Sequence, residues 1–149
     1  MKKIFIYYSF SGNGDEVASY LKDKGISIRK VETAKPLPKN MILSILSGGL
    51  LASINHKDKL VNFNPNISEY DEVIIGSPIW NDRLSCPINT VLDEIDLVGK
   101  KITFILYSGS GKTKKAAEKI KMKYPQTKII VIKEPKKYKT AYKEYLKDL

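Results

Sequence analysis

The sequence predicts a three-layer α/β sandwich, in which helices cover both faces of a five-stranded parallel sheet. Apolar runs alternate with helix-period segments along the chain, the signature of βαβ units. Two of the runs, Val73-Ile74-Ile75 and Ile129-Ile130-Val131-Ile132, are apolar without alternation, as expected of strands buried on both faces. With 149 residues, 42% of them apolar, the chain fits one domain and can bury a core without disulfides or metals to hold it.

Taken in order, strands are predicted at Lys2 to Tyr8, Ile26 to Glu32, Glu72 to Ser77, Lys101 to Tyr107 and Lys128 to Ile132, with helices between them. Lys2-Lys3 ahead of Ile4 to Tyr8 imitates a secretion signal. The apolar segment is too short for one, and no small-residue cleavage site follows, so it reads as the first strand. A helix opens at Asp15-Glu16-Val17, where two acidic residues complement its dipole. Pro36 to Pro38 and Asn62 to Asn66 read as loops. The longest apolar run, Met41 to Ile54, is interrupted by Ser44, Ser47, Gly48 and Gly49 and falls short of a membrane span. The last helix is the clearest: Tyr138, Ala141, Tyr142, Tyr145, Leu146 and Leu149 recur at spacings of three and four, and their three tyrosines are expected in the core. No internal repeat, low-complexity tract or linker divides the chain.

Composition narrows the function. Cys86 is the single cysteine, which excludes an intrachain disulfide, argues against a metal cluster and makes a reducing cytoplasm the simpler location. Net charge is +10 and unevenly placed: residues 112 to 149 hold 13 Lys and 4 acids, or +9, leaving +1 on residues 1 to 111. That asymmetry marks either a surface for an acidic partner, nucleic acid or anionic lipid, or a solvated lysine-rich face. The ratio of 24 Lys to 2 Arg speaks against nucleic acid, because readers of base edges rely on arginine's planar fork. His56, near Lys57 and Asp58, shows no partner in the sequence and reads as solvent-facing.

Open parallel sheets bind ligands beyond the carboxyl ends of their strands, where the strand order reverses. The first such loop is Ser9-Phe10-Ser11-Gly12-Asn13-Gly14, set between a strand and a helix N-terminus. Its backbone N–H groups can face an anion, and Ser9, Ser11 and Asn13 add side-chain donors. It holds no Lys or Arg, so a monophosphate ester suits it better than a triphosphate. The same residues also make an ordinary capped turn.

Tyr8-Ser9-Phe10-Ser11-Gly12-Asn13-Gly14 resembles the phosphate loop of the flavodoxin family: a small hydroxyl, any residue, Thr or Ser, Gly, Asn, Thr. Gly14 departs from that pattern, and the resemblance implies that one phosphate contact is lost there. Tyr70 to Trp80, ending in Gly76-Ser77-Pro78-Ile79-Trp80, resembles the family's third strand and the loop lining the flavin ring. The match extends through Cys86-Pro87-Ile88-Asn89-Thr90-Val91-Leu92 and begins earlier at Gly48-Gly49-Leu50, as in a branch of small flavodoxin-like proteins. The family fold implies the strand order 2-1-3-4-5 and flavin mononucleotide (FMN) as cofactor. Its ring would lie against Ser77, Pro78, Ile79, Trp80 and Asn81 on one loop and Ser108, Gly109, Ser110 and Gly111 on another.

Trp80, placed in a predicted loop, offers a flat apolar face to an aromatic ring or a cover for the core. Asp82 and Arg83 lie where they could influence the ring's charge, and Cys86 reads as a small buried side chain. Gly109-Ser110-Gly111-Lys112-Thr113 ends like a nucleoside-triphosphate loop, but that motif needs a glycine at position 106, which is Leu. No aromatic lies in Ser108 to Thr113, so one ring face is expected to be open. The resemblance implies a redox protein passing electrons to or from a protein partner, in this case one of acidic character. The rivals are an FMN-dependent reductase of a small quinone, nitro or unsaturated carbonyl compound, and a flavin-free interaction domain that uses the basic surface.

Overall fold

A computed structural model describes residues 1–35, 40 and 57–149. The expectations for Pro36 to Pro38, Met41 to Ile54, Gly48-Gly49-Leu50 and His56 lie outside the described residues. The elements run β1 (Lys3–Tyr7), α1 (Asn13–Asp23), β2 (Ser27–Lys30), β3 (Glu72–Trp80), β4 (Arg83–Leu84), α2 (Cys86–Glu94), β5 (Lys101–Ser108), α3 (Lys115–Lys123), β6 (Lys128–Lys133) and α4 (Ala141–Leu146).

Five strands are parallel, in the order β2-β1-β3-β5-β6. Among the described residues the sheet has six strands, however, and not the five expected. β3 runs past Ser77 to Trp80, turns through Asn81 and Asp82, and pairs antiparallel with β4 through Ile79–Leu84 and Trp80–Arg83. Both turn residues have positive φ, 47° and 56°, the conformation that matches a two-residue hairpin to strand twist and that Asn and Asp tolerate best. Trp80 therefore ends a strand and does not sit in a loop.

Side chains alternate across the sheet and form a separate core on each face. Ile4, Ile6, Tyr8, Val73, Ile75, Phe104 and Leu106 pack with Ile88 and Val91 of α2 and Ile120 of α3. Phe5, Tyr7, Ile74, Ile105 and Tyr107 pack with Val17 and Leu21 of α1 and Tyr142 and Leu146 of α4. The three-layer arrangement thus follows from strands apolar on both sides. The tyrosine stripe at the carboxyl end is only partly core. Tyr142 is 1% exposed, but Tyr138 and Tyr145 are 38% and 62% exposed: Tyr138 precedes α4, which spans Ala141–Leu146, and Tyr145 lies on its solvent side.

The amino-terminal end of the central strand is anchored by a buried carboxylate. Glu72 is fully buried, accepts a hydrogen bond from the Thr103 hydroxyl at 3.1 Å, and pairs with Lys101 at 3.2 Å and Lys3 at 3.6 Å. Hydrogen bonding and opposite charge are what make such burial tolerable. Glu72→Ala is expected to lower the free energy of unfolding by about 1–3 kcal/mol, as both lysines can turn to water but Thr103 cannot. Urea denaturation of the two proteins measures this, and an unchanged midpoint would refute the anchor.

Candidate functional site

Because the strands are parallel, the loops after β1, β3 and β5 emerge at one edge of the sheet. Strand order reverses between β1 and β3, and the Tyr8 N–H donates to the Gly76 carbonyl at 3.1 Å there. The three predicted loops leave the sheet at this edge.

The first loop enters α1 through Gly12, whose φ of 91° requires glycine or strain in another residue. Two side chains order it. Ser9 Oγ accepts from the Asp15 N–H at 3.3 Å, and Ser11 Oγ accepts from Asn13 Nδ2 at 3.1 Å. Ser11 thereby keeps its hydroxyl hydrogen for another acceptor, whereas the Ser9 hydroxyl also bonds the Asp15 carboxylate. The backbone N–H groups of Ser11, Gly12, Asn13 and Gly14 donate to nothing among the described residues. Four successive N–H groups at a helix N-terminus, flanked by two hydroxyls, form a donor set suited to an anion.

Asp15 does not oppose that reading. Its carboxylate accepts from the Tyr7 hydroxyl at 2.9 Å and pairs with Lys30 at 2.7 Å. Burial alone would raise its pKa, but bonds from Lys30, Tyr7 and Ser9 hold it below the usual carboxylate range. Burial, followed by the Asp15 bond and charge, drives the Tyr7 phenol well above its ordinary value.

Gly14 has a steric explanation. A Cβ built on it would lie 2.8 Å from the Tyr107 hydroxyl oxygen, 2.8 Å from the Tyr7 ring and 2.9 Å from Ser9 Cβ. Two tyrosines occupy the space a larger residue would need.

The ring-loop residues divide. Ile79 and Asn81 line an open pocket of about 520 Å³ with Ser108, Gly109, Ser110 and Lys112. Ser77 and Trp80 do not face it. Ser77 is fully buried, donates to the Pro78 carbonyl and accepts from the Ser85 N–H, holding the hairpin to the start of α2. Trp80 is 4% exposed and meets the Tyr8 ring edge-on at 6.0 Å. The second ring loop is stitched by its own hydroxyls: Ser108 and Ser110 each donate to the Lys112 carbonyl, at 2.9 and 3.1 Å.

Two roles were not read from the sequence. Asp82 caps α3, accepting from the Thr113 hydroxyl and from the Lys114 and Lys115 N–H groups at 3.0 Å each. This accounts for Gly-Lys-Thr as a capped turn; Asn81-Asp82 as a hairpin turn was its readable signal. The other is Lys136, from the segment after β6, whose backbone N–H donates to Asn13 Oδ1 at 3.1 Å and whose ammonium donates to the Ser11 carbonyl at 3.3 Å. The first loop contains no cation, but the fold brings one to it.

A family model for flavodoxin matches residues 2–148. The chain belongs to the flavodoxin family. Solved flavodoxin-like structures agree in fold. A protein of Bacteroides uniformis described as a flavoprotein is 19% identical with a TM-score of 0.76, the match covering 98% of this chain and 97% of that one. One from Bacteroides eggerthii is 20% identical with a TM-score of 0.74 and covers 98% of each chain. A Lactobacillus acidophilus flavoprotein in complex with FMN is 20% identical with a TM-score of 0.63, covering 93% of this chain and 96% of that one. No curated protein sequence matched. FMN is the cofactor of this family. Among the described residues no helix is long and apolar enough to cross a membrane, and no cluster of side chains suits a metal.

Restoring the family's hydroxyl with Gly14→Thr is expected to destabilise the fold by about 1–3 kcal/mol, through overpacking against Tyr7 and Tyr107. A thermal midpoint at or above that of the parent chain would refute the steric account. Asp82→Ala is expected to cost about 1 kcal/mol at neutral pH by removing the cap. Burial alone would raise the Asp82 pKa, but bonds from Thr113, Lys115, Ala116 and Lys114 lower it. Its stabilisation is therefore complete above the ordinary carboxylate pKa and lost as pH falls through the lower folded value. The difference between parent and variant should shrink on acidification in a series of urea titrations.

Proposed function

We propose that the chain is a cytoplasmic FMN-dependent electron-transfer protein, with Ser9 to Gly14 receiving the phosphate. Supporting this above all is the row of free N–H groups from Ser11 to Gly14, backed by the two serine hydroxyls. Bound FMN would supply one- and two-electron redox chemistry, and the protein's tasks are to hold it, tune it and control access. The Ser11 hydroxyl would donate to a phosphate oxygen, with Asn13 holding Ser11 in place and Ser9 ordering the start of α1 through Asp15. Pro78, Ile79 and Asn81 border the ring on one side. The backbone of Ser108 to Gly111, free of large side chains, lets N–H groups approach its polar edge. Trp80 and Ser77 act from beneath by fixing the hairpin that carries Ile79 and Asn81.

The partner we infer is an acidic redox protein, attracted by the +9 carried on residues 112 to 149. The open pocket beside Ile79 and Ser108 favours a second reading, reduction of a small quinone, nitro or unsaturated carbonyl compound at the exposed ring. Rapid, saturable oxidation of a nicotinamide cofactor with such an acceptor and no second protein would select the reductase. Its absence, with fast transfer to a protein partner that slows as salt rises, would select the carrier.

Titration with FMN, followed by absorbance and by quenching of flavin fluorescence, tests the cofactor assignment. Ser11→Ala should weaken binding about 10- to 100-fold, since a hydrogen bond to a charged group contributes roughly 1.5–3 kcal/mol. Unaltered affinity in that variant would remove Ser11 from the site, and no binding by the parent chain would end both redox readings.

A further inference from the structure

We propose that Lys136 provides the positive charge of the phosphate cradle and makes the protein select FMN over riboflavin. The inference rests on the FMN reading and adds to it a residue far outside the phosphate-loop motif. The segment carrying Lys136 is built to a defined shape. Glu134 adopts a φ of 34°, its carbonyl accepts the N–H groups of Lys137 and Tyr138 at 2.8 and 3.0 Å, and Pro135 is buried. The Glu134 N–H donates to the Ser108 carbonyl at 3.3 Å, tying the turn to the end of β5. From that mount the Lys136 N–H reaches Asn13 Oδ1, and its side chain lies over Gly12, where a Cβ would meet the Lys136 stem at 3.1 Å and the ammonium at 3.2 Å.

The charge is also uncommitted. Lys30 is paired with Asp15, Lys137 with Glu134 and Lys147 with Glu144, whereas no carboxylate among the described residues pairs with Lys136. Its ammonium donates to a neutral carbonyl of the loop and retains two further N–H donors. A phosphate monoester carries between one and two negative charges near neutrality, which the backbone N–H groups can solvate but not neutralise. A flexible ammonium at the rim adds the missing counter-charge, and a flavin lacking phosphate gains nothing from it. Asn13 couples the two parts: Nδ2 orders Ser11 while Oδ1 holds the Lys136 backbone.

Titrations of the parent chain, Lys136→Met and Lys136→Arg with FMN and with riboflavin test the proposal. Lys136→Met should bind FMN about tenfold more weakly and riboflavin unchanged, Lys136→Arg should retain most of the FMN affinity, and salt should weaken FMN binding less in the Met variant than in the parent. Equal FMN affinity in the Met variant, or equal losses for both flavins, would overturn it; the latter would mark Lys136 as a structural support of the loop. A parent chain that binds neither flavin would defeat the FMN reading itself, and this inference with it.

Discussion

The absence of a side chain at Gly76 is the constraint from which the site's architecture follows. Gly76 lies in the middle strand, and a Cβ there would fall 2.4 Å from the Tyr107 hydroxyl and 2.5 Å from the Phe5 ring. Aromatic groups from the flanking strands β1 and β5 thus close over β3 on one face. Phe5 and Tyr7 stack at 5.0 Å with their planes 2° apart, and the Tyr107 hydroxyl continues across to donate to the Tyr8 carbonyl at 3.3 Å. A glycine in a strand interior commonly marks such a close approach. The loop Ser9 to Gly14 begins beside this aromatic layer, and Gly14 is small for the same reason.

Electrostatics divides the molecule into separate tasks. At the amino-terminal end of the sheet, Glu72 gathers Lys3 and Lys101 around a buried carboxylate and leaves little charge over. At the carboxyl-terminal edge, the acidic groups are engaged by neighbouring donors: Asp15 is held by Tyr7 and Lys30, and Asp82 caps α3. That edge therefore presents backbone donors, hydroxyls and lysine. Hydrogen bonds and ion pairs thus offset the negative charge of the two carboxylates nearest these loops.

Periodicity and burial made the fold legible, because strands apolar on both sides can exist only under helices on both faces. The five parallel strands were readable for that reason, and family membership adds the cofactor. What escaped depended on contacts between distant segments. The hairpin at Asn81-Asp82 extended β3 and buried Trp80, a tertiary outcome that a lone tryptophan after an apolar run does not announce. The tyrosine stripe overstated α4, since Tyr138 and Tyr145 keep the period but fall outside or on the solvent side of the helix. Gly14 looked like a lost contact until Tyr7 and Tyr107 were found beside it. Lys136 lies in a run of lysines that composition alone cannot tell apart.

The bond from the Lys136 N–H to Asn13 spans 123 residues of sequence. It ties the turn after β6, at one edge of the sheet, to the first residue of α1, so a shift of that edge strand would be felt directly at the loop Ser9 to Gly14.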